Sequence, residues 1–153
     1  MKINSKYILS RRHIFLGTLA LFGLGITGIH AATPGPENVE WTLVEINGKA
    51  AEAPAGGKMR SATLKLDAAK MQASGVSFVN HFGGKYELKD NTLKFGPMMS
   101  TRMAGPPEAM DAERDYLTML KDVTGWRITD GKLELVVGDK IVARLSEKPA
   151  ANK

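Results

Sequence analysis

The sequence predicts a mainly β domain of the α+β class: a curved or incompletely closed antiparallel β-barrel with one amphipathic helix. Three observations lead there. Short runs of alternating apolar and polar residues are separated by turn dipeptides, most plainly Asp90-Asn91, Asp130-Gly131 and Gly138-Asp139. One stretch, Pro107 to Asp122, instead repeats its apolar residues every three to four positions. Eight or so short strands with one helix cannot bury both sheet faces and the helix stripe as a flat layer, so the sheet must curl.

Taken in order, a linker over 32–39 carries Pro34, Gly35 and Pro36, and the domain is expected over 40–147 with a disordered tail at 148–153. Glu40 to Ile46 bears apolar groups on both faces and predicts a strand partly buried twice, ended by Asn47-Gly48. Ala50 to Gly57, rich in Ala, Gly and Pro, predicts a loop. Thr63 to Leu66 is a short strand and Met71 to Asn80 another, with Gly75 marking a bulge or a close backbone approach. Gly83-Gly84 should then reverse or bend the chain. Tyr86-Glu87-Leu88 and Leu93-Lys94-Phe95 alternate about Asp90-Asn91 as a hairpin.

Pro106-Pro107 suits a helix start, because proline's fixed φ and missing N–H cost nothing in a first turn. Ala109, Ala112, Tyr116, Leu120 and Val123 make the apolar face, bordered by Glu113 and Leu117. Glu108 and Asp111 near the start and Lys121 near the end complement the helix dipole. The helix should pack across the mouth or gap of the barrel. Thr124 to Ser146 follows as a three-stranded meander, with Trp126, Ile128, Leu133, Leu135, Val137, Ile141, Ala143 and Leu145 at every second position.

Composition narrows the function. The 153 residues suit one modest domain, and the absence of Cys excludes thiol nucleophiles, Cys metal sites and disulfides. Of the 21 basic residues, Lys2, Lys6, Arg11 and Arg12 fall in a first segment of 31 residues without an acid, so the rest carries 17 basic against 16 acidic side chains. That near balance removes the electrostatic argument for a nucleic-acid partner.

The first segment has the order of a secretory signal: basic residues, the apolar run Ile14 to Ile29, then small residues at Ala31 and Ala32. Arg11-Arg12 ahead of Ile14-Phe15-Leu16, with Gly17, Gly23, Gly25 and Gly28 diluting the apolar run, resembles a twin-arginine signal; an ordinary Sec signal containing two arginines is the alternative. A signal peptide over 1–31 is therefore expected, cleaved after Ala31 or Ala32. It hands the chain to the export machinery and leaves a periplasmic or secreted protein.

No catalytic, cofactor or metal set can be assembled from the residue types. His81 is the one histidine left after processing, and a lone His makes neither a triad nor a His-rich metal site. Met98, Met99 and Met103 hold soft thioethers, but a copper(I) site needs three sulfurs to converge, and alternation on a strand separates Met98 from Met99. Glu108, Asp111, Glu113 and Asp115 lie on a helix start rather than in a calcium loop. Glu113 borders the apolar face and is expected to hydrogen-bond inward to backbone or an Arg.

Trp41-Thr42-Leu43, Val79-Asn80-His81-Phe82-Gly83-Gly84-Lys85-Tyr86, Ser100-Thr101-Arg102-Met103-Ala104-Gly105 and Glu113 resemble, in order and spacing, the META domain of the heat-shock protein HslJ family, over about residues 38 to 146. The family pattern is Cys-Asn followed by an aromatic, Gly and Tyr, and later Thr-x-Met-Ala-Cys. Asn80, Phe82, Gly84, Tyr86, Thr101 and Met103 match it, while Val79 and Gly105 stand where the family has cysteines. If those cysteines are neighbours, Val79 and Gly105 should lie close in space.

The resemblance implies a cracked barrel, no established enzymatic activity and no cofactor. It also implies a link to heat shock or antibiotic stress at the envelope. The expected function is a non-enzymatic stress-response interaction protein binding an envelope protein or lipid, around the loop Asn80 to Gly84 and the segment Thr101 to Gly105. The alternative is a carrier of a lipid or small apolar ligand, which requires an unfilled apolar cavity near the helix lined by Met, Leu and Phe.

Overall fold

The computed structural model describes residues 35–51 and 60–148. The expected signal peptide, the first part of the linker, most of the Ala50 to Gly57 loop and residues 149–153 of the tail lie outside the described residues.

Nine strands and one helix follow in the order β1 (Glu40–Ile46), β2 (Lys49–Ala50), β3 (Thr63–Asp67), β4 (Gln72–Ser77), β5 (Asn80–Lys89), β6 (Thr92–Ser100), α1 (Pro107–Asp122), β7 (Gly125–Thr129), β8 (Lys132–Val137) and β9 (Lys140–Glu147). The strands form one antiparallel sheet in nearly sequential order, with β2 a short appendage on β1 and an additional β1–β9 pairing that bends the sheet into a ring. The ring does not close as a regular barrel. β6 and β7 share the single pair Thr92↔Gly125.

Helix α1 connects the two strands at that weak seam. The chain leaves β6 at Ser100, and it returns beside the opposite end of the same strand, where the Leu93 N–H donates to Thr124 O at 3.3 Å. Its 16 residues, about 24 Å long, therefore run along the edge of β6 that β7 leaves almost unpaired, the other edge being paired with β5.

The buried face of α1 comprises Ala109, Glu113, Tyr116, Met119 and Leu120, and it is turned slightly from the expected one: Ala112 and Leu117 are half-buried, Glu113 and Met119 are inside. Tyr116 plugs the interior. Its ring meets Phe78 and Phe82 edge-on at 6.3 and 5.8 Å, and its hydroxyl donates to Thr63 O at 3.3 Å. Burial pushes the Tyr116 hydroxyl well above its ordinary value. Around it Leu64, Leu66, Leu93, Leu133, Leu135 and Leu145 have lost all contact with water, each worth about 2 kcal/mol.

Four sequence expectations need correction. The strand expected over Met71 to Asn80 breaks at Phe78–Val79, because Phe78 takes φ 66° and starts a new strand at Asn80. Gly83-Gly84 does not reverse the chain; both lie inside β5, and the distortion is a bulge between Gly84 and Tyr86 in the pairing with β6. The linker ends before its expected limit, since Pro36 is fully buried, Trp41 Nε1 donates to Pro36 O at 2.8 Å, Asn38 N donates to Leu66 O at 2.7 Å and Tyr86 donates its hydroxyl to the Glu37 carboxylate. Lys148, placed in the tail, is still tied to Glu40 through N–H···O at 2.8 Å and Nζ···Oε1 at 3.0 Å.

The β1–β9 closure carries a charge ladder on its outer face. Arg127, Glu134, Arg144 and Glu45 are direct cross-strand partners on β7, β8, β9 and β1. They alternate in sign, with contacts of 2.6, 2.9 and 2.6 Å, the arrangement in which opposite charges stabilise a sheet. Glu134 is buried beneath the two guanidinium groups. Burial alone raises its carboxyl, but the hydrogen bonds and charges of Arg127 and Arg144 outweigh that and hold it below the ordinary 4.5.

The lowered value fixes the sign of a pH effect. Glu134 contributes stability above pH 4.5, and the contribution is lost as the pH falls through the lowered value. Glu134→Gln is expected to lose about 1–2 kcal/mol at neutral pH, with the gap to wild type closing in acid. Thermal melting followed by circular dichroism across the acid range checks this, and a constant gap at every pH contradicts it.

Candidate functional site

The resemblance-marked residues of β5, the β6–α1 segment and the helix meet at one corner of the ring. There β4 turns into β5 through Ser77, Phe78 and Val79, with Val79 N donating to Ser77 O at 2.8 Å. A three-residue turn closed this way about a positive φ is the rare, strained kind of γ-turn, at a cost of about 1–3 kcal/mol. Neighbours hold it in place: Arg60 N donates to Phe78 O at 3.1 Å, Arg60 Nη2 donates to Val79 O at 2.7 Å, and the Phe78 ring rests on Tyr116.

Asn80 follows immediately and is 1 % exposed. Its side chain makes all four hydrogen bonds an amide offers. Oδ1 accepts from Thr101 Oγ1 and from Met103 N, both at 2.8 Å, while Nδ2 donates to Met103 O at 3.2 Å and to Glu113 Oε1 at 3.0 Å. The backbone N–H of Asn80 donates to the other carboxylate oxygen of Glu113 at 3.0 Å, and its carbonyl accepts from Ser77 Oγ at 3.1 Å. The amide orientation is dictated chemically, because a carboxylate cannot donate and a backbone N–H cannot accept. Glu113 thus bonds inward to backbone and to Asn80, and among the described residues no Arg pairs with it.

Thr101 completes the joint, with Oγ1 accepting from His81 N at 3.1 Å and its own N–H donating to His81 O at 3.0 Å. Phe82 and Tyr86 point from the same strand into the core. Burial first, and the Glu37 carboxylate second, push the Tyr86 hydroxyl well above its ordinary value, which keeps it a donor. At Gly84 a β-carbon would fall 2.6 Å from both Met98 Sδ and Pro97 O, so the bulge leaves room for hydrogen alone.

Val79 and Gly105, the two positions at which the resemblance leads one to expect cysteines, are direct neighbours. A β-carbon built on Gly105 falls 3.5 Å from Val79 Cβ and 2.7 Å from Val79 Cγ2. Disulfide β-carbons stand about 3.5–4.5 Å apart, so a bridge across this point would tie the corner to the β6–α1 segment as the Asn80 network does. Here the Val79 methyls occupy the space instead.

The other candidates do not assemble. His81 is exposed, and its Nε2 faces Arg60 Nη1 at 3.2 Å. Met98 points inward over Gly84 whereas Met99 is exposed beside it, so the three sulfurs do not share a face. Glu108, Asp111 and Asp115 are on the solvent side of α1, where Arg114 pairs with Asp111 at 2.9 Å. Among the described residues no three His, Asp or Glu side chains gather as a metal ion would need. A cleft of about 710 Å³ opens between α1 and the β1–β2 and β8–β9 turns. Met119, Val137 and Val142 line it with Asn47, Arg114, Asp115, Thr118, Asp122 and Lys140, and neither Leu nor Phe contributes.

Sequence reasoning missed Arg60, Ser77 and Phe78. Arg60 follows a loop, and nothing about a lone Arg there signals that it holds carbonyls eighteen and nineteen positions later. Phe78 looked like one more apolar strand residue.

The comparisons with known proteins fall in line with this architecture. A small antiparallel ring left open at one seam and braced there by a helix defines the class, and the META domain family is matched over residues 36–149. The chain belongs to that family. It is similar to an NMR structure of a protein from Burkholderia xenovorans, at 27 % identity and a TM-score of 0.59 over 75 % of this chain and 85 % of that one. A second NMR structure, at 22 % identity and a TM-score of 0.52 over 71 % and 88 % of the two chains, shares the fold. No curated protein matches significantly. These relationships indicate no catalytic family.

Two mutational outcomes follow from the geometry. Asn80→Asp keeps the shape but aims an acceptor at Glu113 and Met103 O, and about 3 kcal/mol or more of stability is expected to go. Adding Glu113→Gln, whose amide can donate, recovers part of it, as urea unfolding of both variants will read; equal losses with and without the second change contradict the contact. Gly105→Ala is expected to cost about 1–3 kcal/mol through the clash with Val79. Val79→Ala in the same chain relieves it, so strictly additive melting shifts for the pair would show that the side chains do not meet.

Proposed function

We propose that this META-domain protein is exported and acts outside the cytoplasm as a non-enzymatic interaction protein, supporting the envelope under stress by binding an envelope protein or lipid. The observation that carries the non-enzymatic reading is the saturation of the shared motif. Asn80, Thr101, Met103 and Glu113 engage their polar groups with one another, leaving no poised nucleophile or base of the kind catalysis requires. Export rests on the basic, apolar and small-residue order of the first 31 residues. The contact region is the rim formed by Asn80 to Gly84 and Thr101 to Gly105, where His81, Thr101, Arg102 and Met103 are exposed around the buried joint.

A second reading, carriage of a small ligand at the barrel mouth, draws on the cleft beside α1. Its volume falls in the range of ligand sites, about 300–1,000 Å³. The charged rim of Arg114, Asp115, Asp122 and Lys140 suits an amphipathic occupant better than a bare lipid tail.

Fractionation of cells making the full chain tests the proposal. A processed protein beginning at Ala32 or Thr33 outside the cytoplasm is expected, and Arg11→Lys with Arg12→Lys blocks its export if the twin-arginine route is used. Native mass spectrometry of that material separates the readings, since a co-purifying small molecule favours the carrier. Unprocessed chain confined to the cytoplasm, or saturable turnover of a substrate, would overturn the proposal.

A further inference from the structure

Among the described residues, three large hydrophobic side chains stand exposed, and all three are methionine: Met71 at 41 %, Met99 at 80 % and Met103 at 48 %. Every described Leu, Ile, Val, Phe and Trp is at least half covered. Isolated exposed apolar residues are ordinary, but sorting by hydrophobicity alone does not reserve the open positions for the thioether.

None of the three side chains belongs to the hydrophobic core or to the partly buried hydrophobics packed against it. Met99 stands on the outer face of β6 opposite Gly83, which has no side chain to shield it. Met103 joins the Asn80 network through its backbone N–H and carbonyl. Met71 sits at φ 50° in the β3–β4 turn and contributes its carbonyl, which accepts from Tyr86 N at 3.4 Å. By contrast, Met119 is 6 % exposed against the core, and Met98 fills the space over Gly84.

A thioether exposed to water is a two-electron nucleophile toward hydroperoxides. Its sulfur attacks one peroxide oxygen, the S–O bond forms as the O–O bond breaks, and the departing oxygen takes the proton. Sulfur is oxidised to the sulfoxide while the hydroperoxide is reduced to an alcohol, or to water when the oxidant is hydrogen peroxide. The new polar oxygen at these three positions is solvated by water. At Met119 the same oxygen would be buried without a partner, at a cost of about 1–3 kcal/mol.

We propose that Met71, Met99 and Met103 are surface sulfoxidation sites that consume hydroperoxide ahead of the buried Met119 and the partly buried Met98 while the fold stays intact. The inference stands independently of the export and binding reading, because it rests on exposure and packing alone.

Treating the full chain with hydrogen peroxide and mapping its peptides by mass spectrometry tests it, with fragment ions separating Met98 from Met99. Met99 is expected to oxidise at least roughly tenfold faster than Met119, with Met71 and Met103 also ahead of Met98 and Met119. Protein carrying the three oxygens should melt at the wild-type temperature, and methionine sulfoxide reductases should restore its mass. The variant Met71→Leu, Met99→Leu, Met103→Leu should keep that melting temperature and lose the three fast oxygen additions. Oxidation of Met98 or Met119 as fast as Met99, or melting that falls in step with the first oxygens, would overturn the proposal.

Discussion

Four hydrogen bonds converge on the side chain of Asn80, and through them the helix of the described domain is joined to a ring of antiparallel strands. A strand is held to its neighbour by a ladder of repeated backbone bonds, whereas a helix satisfies its own backbone and offers the sheet only side chains. Along the edge of β6 that faces β7, where pairing is limited to Thr92↔Gly125, some other fastening is required. Asn80 provides it at the start of the helix through Glu113 and Met103, and Tyr116 provides it at the centre by packing on Phe78 and Phe82.

The joint explains the residue types around it. Only an amide offers two donors and two acceptors in one plane, and all four positions are used. Glu113 supplies the one pair of acceptors that reaches both the backbone and the side-chain donor of Asn80. The strained turn at Phe78 aims Asn80 inward and places the Phe78 ring on Tyr116, so the polar and apolar halves of the fastening depend on the same backbone bend. Val79 and Gly105 meet beside it. The hydrogen bonds hold this joint in a chain without a single cysteine.

The two seams of the ring are closed by different physics. Between β1 and β9 a full ladder forms, reinforced outside by Glu45, Arg144, Glu134 and Arg127. At β6–β7 packing and a buried polar network replace it. The first is a backbone ladder whose outer charges include the ionised Glu134, whereas the second combines apolar packing with the Asn80 hydrogen bonds.

The sequence laid open most of the local structure. Alternation between Gly and Asp dipeptides placed the β7–β9 meander, and the 3.6-residue period with its leading prolines placed Pro107 to Asp122 as the helix. Those signals are written in consecutive residues, because turn conformation and amphipathic period depend on near neighbours. The resemblance marked Asn80, Thr101, Met103 and Glu113, but their mutual contacts join residues 21 to 33 positions apart. The same holds for the break at Phe78: a Phe in an apolar run favours an extended strand locally, and only Tyr116 below it and Arg60 beside it hold the bend in place. At Gly83-Gly84 a pair that locally favours reversal is kept within β5 by partners on β4 and β6, leaving only a bulge between Gly84 and Tyr86. Where each backbone group found its partner within a few residues the chain spoke for itself; where the partner came from across the ring, the packed whole chose.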